Sequence, residues 1–439
     1  MFKIEWVNHA SYIFDDGEIR LITDPWLEGS VFNESWSLLS KTKFQYEDFK
    51  SITHIWFSHE HPDHFFPPNL KKIPKEYREK ITILFQETTD HKVANFCRML
   101  GFKDVIEKSN SDIQLSSKTS IYIKTFSNYD SDSWNLIKSD GLKFLNVNDC
   151  VLNSRKVIEE IYDITGSVDY LLTQFSYANW VGNPEDESGR KNHATEKLKR
   201  IKNQVEILKP KFVIPFASYV YFSKKDNFFM NSTVNKIGDV TLFLKELSVE
   251  PLVFYPGDTY SGEQWNLNDK NIEQYNLDFE KALNCTDNME SESFTIDQIE
   301  KSFQKGPFFN FNLKSLFAKL FTRLQGTPSV LIYLNDLNKI ISFNIENKRI
   351  KEVTEKDYDL NLNSQNLNYL LSHEWGPGTI LIAGTFSTKN PRGIKFINYM
   401  SEISHCVGQN QTFSTKYVCK RIINLALRKL ERIKDKIFS

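Results

Sequence analysis

The chain has 439 residues, 40% hydrophobic and 14% aromatic, long enough for two domains and able to bury a large core. Its 55 lysines and arginines almost cancel 56 acidic residues, which argues against general nucleic-acid binding. Five scattered cysteines form no C-x-x-C or C-x-H pair, so a disulfide framework, a zinc ribbon and a Rieske cluster are all unsupported.

The amino terminus shows no basic segment followed by an apolar run, and no stretch approaches the roughly 20 apolar residues of a membrane span. A cytoplasmic location is therefore expected. Residues 12–14, 19–23, 54–58 and 81–85 read as strands, with Asp15-Asp16-Gly17 as the tight turn between the first two. Further strands are expected at 120–124, 142–147, 170–173, 212–215 and 252–255, with helices at 88–100 and 192–208. Residues 263–300 are rich in Asn, Asp, Glu and Ser and read as a polar linker between a domain at 1–262 and another at 301–439.

In the second unit, 330–333 and 340–345 read as a hairpin, Ser364 as the cap of a helix over 365–372, and 379–385 as a strand. These elements make it a small α+β domain. A last helix over about 416–438 carries Ile423, Leu427, Leu430, Ile433 and Ile437 at spacings of three and four. Its basic face suits solvent or an anionic membrane surface.

The chemistry concentrates in His59-Glu60-His61-Pro62-Asp63-His64, directly after an apolar strand. Two histidines separated by one residue can face one ion where the chain bends, and Asp63 with His64 can serve a second ion nearby. Pro62 withholds a backbone donor and favours the bend. His54 lies inside the preceding strand and reads as structural.

This pattern resembles the metallo-β-lactamase superfamily. Asn8-His9-Ala10-Ser11, Thr23-Asp24-Pro25-Trp26-Leu27, Phe144-Leu145-Asn146-Val147-Asn148-Asp149-Cys150 and Pro215-Phe216-Ala217-Ser218-Tyr219 are similar to elements of one branch of it. That branch is the metal domain of CMP-N-acetylneuraminate hydroxylase-like proteins, and the likeness covers about residues 1–262. It implies an α/β fold, an αββα sandwich, holding two divalent ions: iron or zinc, with manganese as a further candidate. It also implies Asp149 as the bridging carboxylate, with Asp258 as the rival, whose alternative is a turn capped by its own side chain. His9 and Asp24 are expected to orient ligands.

The family places a further histidine before the bridge, and residues 126–134 contain none. Asn128 stands in the matching place, and Asp130 and Asp132 are the neighbours able to bind metal. A carboxylate there would shift preference from zinc towards iron or manganese; alternatively, these aspartates only tie the loop to its backbone. His193 is the candidate for the last ligand, being the only histidine between His91 and His373, and its alternative is an exposed helix start.

Two reactions suit such a site. One is hydrolysis of an ester, amide, thioester or phosphodiester in a small-molecule substrate, with Asp63 steering the proton as the catalytic residue. The other is di-iron hydroxylation, implied by the resemblance, against which stands the lack of a C-x-H cluster to deliver electrons. A third reading keeps the metal without turnover. The C-terminal domain is faintly similar to sterol-carrier-type domains and could hold an apolar part of the substrate or form a homodimer contact.

Overall fold

The computed structural model describes residues 2–126, 132–285, 291–311, 327–408 and Cys419. The tail at 416–438 thus lies almost wholly outside the described residues. Two seven-stranded sheets build the larger domain. Across the first run Thr259–Tyr260, Lys3–Asn8, Ser11–Asp15, Arg20–Thr23, His54–Trp56, Thr82–Phe85 and Asp104–Glu107. The second runs Glu250–Pro251, Phe212–Phe216, Tyr170–Gln174, Leu142–Asn148, Ser133–Ser139, Thr119–Thr125 and Ser111–Gln114.

Each sheet is half antiparallel and half parallel. In the first, the parallel set runs from Arg20–Thr23 to Asp104–Glu107; in the second, from Leu142–Asn148 to Glu250–Pro251. The inner parallel strands are apolar without alternation, as Thr82–Phe85 shows with all four residues buried, because helices or the other sheet cover both of their faces. Trp6, Phe14, Trp56, Trp134, Phe144 and Tyr170 fill the space between the sheets. Helices Pro67–Lys72 and Lys92–Met99 pack outside the first sheet over Phe57, Ile83 and Phe85. Helices Arg155–Thr165, Glu187–Leu208 and Ile237–Glu246 bury Ile158, Ile201 and Val240 with the second. The result is the αββα sandwich that the resemblance implied.

Three expectations need correction. Residues 263–300 are not a linker: they contain helices Asn268–Leu283 and Ile296–Lys305, and the first buries Tyr275 and Phe279 in the main core. Polar composition concealed it because its asparagines do structural work, Asn268 and Asn271 bonding the backbone of Pro251 and Val253 at 2.8 Å. Those same bonds explain why 252–255 is no strand, since helix side chains have taken its backbone groups. Residues 379–385 are not a strand either; Gly376–Ala383 is a helix, ended by Gly384 at φ 68°.

The smaller domain has a five-stranded sheet ordered Arg349–Val353, Lys339–Asn344, Ser329–Leu334, Leu360–Leu362 and Ser387–Thr388. The expected hairpin is there, with Ile332 opposite Ile341. Ser329–Leu334 alternates partly exposed with buried residues, the pattern of a sheet with one covered face. Helices Ser364–Ser372 and Pro391–Gly408 supply that cover through Leu367, Leu371, Phe396 and Met400. Asn363, one residue before the expected Ser364, caps the first of these helices. Among the described residues no helix is long and apolar enough to cross a membrane.

Candidate metal centre

The parallel strands of both sheets end on one edge of the sandwich, and the candidate ligands follow those ends. Asp24 follows Arg20–Thr23, His59 follows His54–Trp56, Asp149 follows Leu142–Asn148, and Gln174 ends Tyr170–Gln174. Loops at carboxyl ends of parallel strands are where α/β folds place ligands. Three non-glycine residues here have left-handed backbone: His9 at φ 40°, Asp24 at 38° and Asn148 at 49°. Such conformations cost energy and persist where the surroundings impose them. At Asn148 the pairing register also shifts, which aims Asp149 out of the sheet.

His61 turns the segment back on itself, its carbonyl accepting from the amides of His64 and Phe65 at 3.0 and 2.7 Å. Nε2 of His59 and Nδ1 of His61 then stand 2.9 Å apart. Ligand atoms of His59, His64 and Asp149 gather within 4.8 Å, as do those of His9, Asp63 and His64. His64 belongs to both groups. Its Nε2 lies 3.2 Å from Asp63 Oδ2 and 3.6 Å from Asp149 Oδ2, and His9 Nε2 lies 3.4 Å from Asp63 Oδ2.

A buried network sets the ring orientations. Ser58 donates through its amide and its hydroxyl to Asp24, both at 2.7 Å, and its hydroxyl oxygen stands 2.9 Å from His59 Nδ1. Asp24 also lies 3.0 Å from His64 Nδ1. A neutral imidazole that commits its Nδ1 proton to these oxygens would present its Nε2 lone pair to the centre. Ser133 holds the Ser58 carbonyl at 2.6 Å, tying the second sheet to the motif. Gln174 donates to Asp149 Oδ1 at 2.9 Å and is itself held by Lys197.

The electrostatics fit a cation. Burial pushes His59 well down, with His64 and His61 adding to the effect. Burial opposes the charge on His64 too, but Asp63 and Asp149 outweigh it and raise that imidazole well above its ordinary value. Asp63 is pulled well below the usual carboxylate range, its burial outweighed by His64 and His9. Among the described residues no lysine or arginine forms an ion pair with Asp24, Asp63 or Asp149. Asp63 Oδ1 and His64 Nε2 are buried without a hydrogen bond, the condition of atoms suited to a metal.

The structure thus brings together His59, His61, Asp63, His64 and Asp149. Burial raises the Asp132 carboxyl, with His61 and His64 opposing and Asp149 reinforcing, so it shares their field without joining either tight group. Asp130 and Asn128 lie outside the described residues. His193 is not brought in: it sits on the exposed face of helix Glu187–Leu208, which turns Ala194 and Ile201 inward instead. Asp258 caps its own turn, accepting from the Tyr255 amide at 2.8 Å and from Asn271 at 2.6 Å. His9, expected to orient other ligands, places its ring beside Asp63 and His64. Its position one turn before a strand, ahead of the motif by fifty residues of sequence, carried no metal-binding spacing.

Residues 3–148 match the beta-lactamase superfamily domain. The larger domain has the metallo-β-lactamase fold. Among curated proteins, this chain is similar to cytidine monophosphate-N-acetylneuraminic acid hydroxylase of Danio rerio, 25% identical over 237 residues, 49% of this chain and 38% of that protein. The inactive hydroxylase of Homo sapiens is 24% identical over 258 residues, 53% of this chain and 48% of that one. This chain therefore spans less than half the length of these curated relatives. Among solved structures, CmlA, a diiron beta-hydroxylase from Streptomyces venezuelae, aligns over 59% of this chain and 54% of its own, at 16% identity and TM-score 0.43.

Proposed function

We propose that the protein is a metal-dependent hydrolase that cleaves an ester, amide, thioester or phosphodiester bond in a small molecule. The observation that carries this reading is the pair of ligand groups, His59/His64/Asp149 and His9/Asp63/His64, joined through His64. Bound there, two divalent ions would supply Lewis acidity and a water whose pKa falls towards neutrality. His59, His61 and Asp149 would hold one, with Asp63, His64 and His9 around the other. Asp63 Oδ1, buried and without a hydrogen bond, would be the base that takes a proton from a water held there and returns it to the leaving group. Ser58 and Asp24 keep the imidazoles in the ligating tautomer, and Gln174 holds the Asp149 carboxylate.

A second reading, a di-iron hydroxylase, is favoured by Asp132, a carboxylate near the place where the family has an imidazole and in the field of His61 and His64, and by the names of the curated relatives. It would need an external electron donor. The test is elemental analysis of the full-length protein with a screen of ester, amide, thioester and phosphodiester substrates. Two zinc ions and a hydrolytic activity that falls about 100-fold or more in Asp63→Asn support hydrolysis. Two irons with visible absorption and no hydrolysis support the second reading, whereas a metal-free protein sinks both.

A further inference from the structure

Beside the metal centre lies a cavity of about 690 Å³, shared between the two domains. Phe65, Val93 and Phe96 line it from the larger domain, Tyr369, Trp375 and Ile382 from the smaller, and His59 and His61 open onto it. Its volume is that of a small-molecule site, and its walls are mainly aromatic and aliphatic. The smaller domain is firmly seated there. Trp180 N donates to the Leu381 carbonyl at 3.0 Å, Asn227 to the Ala383 carbonyl at 2.7 Å, and Asn33 to Asn366 at 2.9 Å. Lys92 crosses to Glu374 at 2.8 Å and lies 5.7 Å from the Trp375 ring centroid, so the one lysine on the wall among the described residues is already engaged.

We propose that the substrate is a small molecule with an apolar aryl or alkyl body, seated in this cavity with its reacting group towards His61. The C-terminal domain is then half of the substrate site. The orientation of the substrate rests on the reading of the histidine–aspartate cluster as the reaction centre; binding of the apolar body does not. The chemistry argues for it directly: an apolar body seated against Phe65, Phe96, Trp375 and Ile382 removes those side chains from water.

Gly378 supplies a clean probe. It lines the cavity within a helix, a Cβ added there would meet no atom within 4 Å, and its backbone is ordinary helix. A side chain at 378 therefore enters open space while the better helix propensity favours folding. The experiment titrates full-length protein with the neutral dye N-phenyl-1-naphthylamine, followed by fluorescence, with metal content and melting temperature measured on the same samples. Saturable binding is expected, weakened about tenfold or more in Gly378→Phe and within about threefold of wild type in Gly378→Ala, at a melting temperature no lower than wild type. Equal dye affinity in Gly378→Phe and wild type, or no saturable binding, overturns the proposal. Metal-free protein that still binds the dye would sink the reaction centre and leave the cavity standing, and metal-loaded protein without dye binding would do the reverse.

Discussion

The carboxylate of Asp24 lies 3.0 Å from Nδ1 of His64, with both side chains fully buried. The same carboxylate takes the Ser58 hydroxyl, so one residue bears on the tautomer of two histidines of the cluster. Asp24→Asn keeps the shape but introduces a donor facing these groups. Metal affinity, measured by competition with a chromogenic chelator, is expected to fall about 10–100-fold. An unchanged affinity would show that Asp24 does not orient these rings.

Lys197 reaches the centre through Gln174. Burial lowers its ammonium to about 8 from 10.5, with the Asp149 charge opposing. Between those values the unfolded chain carries the extra proton, so native stability rises with pH across that window. Wild type should gain on Lys197→Met by up to about 3 kcal/mol from pH 8 to 10.5, read by urea unfolding of both proteins. A pH-independent difference would contradict the burial of this amine.

Asp16 joins the two sheets. One oxygen accepts from the Glu18 and Ile19 amides at 2.8 Å, and the other from Ser116 and Thr119 at 2.5 and 2.6 Å. Burial alone would raise this carboxyl, but the hydrogen bonds from Ser116, Thr119 and the backbone hold it at about 2. Its folded value lies below its unfolded one, so its stabilisation is present above about pH 4 and is lost as pH falls towards 2. Asp16→Asn should cost about 1–3 kcal/mol at pH 7, with the gap to wild type closing in acid. Equal stability at pH 7 in denaturant melts would refute this role.

His193→Ala should retain the full metal complement by elemental analysis, because the residue is exposed on the outer face of its helix. Asp132→Asn should weaken binding of metal by about tenfold or more, its carboxylate standing in the field of His61 and Asp149. The opposite pattern, loss in the first and none in the second, would exchange the two assignments.

The spacing of His59, His61, Asp63 and His64 after an apolar run was sufficient to expect these side chains together, because a local bend brings such neighbours together without distant help. Strands such as Thr82–Phe85 and the Ser329–Leu334 hairpin were legible for the same reason, their burial patterns being local. Gln174 and Lys197 were not, since each reaches the centre through a different strand end or helix and no spacing links them; His9 was singled out only through the resemblance. The helices Asn268–Leu283 and Gly376–Ala383 were misread because polar asparagines bond a neighbouring backbone in one, and packing overrides an apolar, strand-like run in the other. Most consequentially, only the tertiary structure placed Tyr369, Trp375 and Ile382 beside His61. More than three hundred residues separate them along the chain, and a cavity between two domains has no signature in either domain's own sequence pattern.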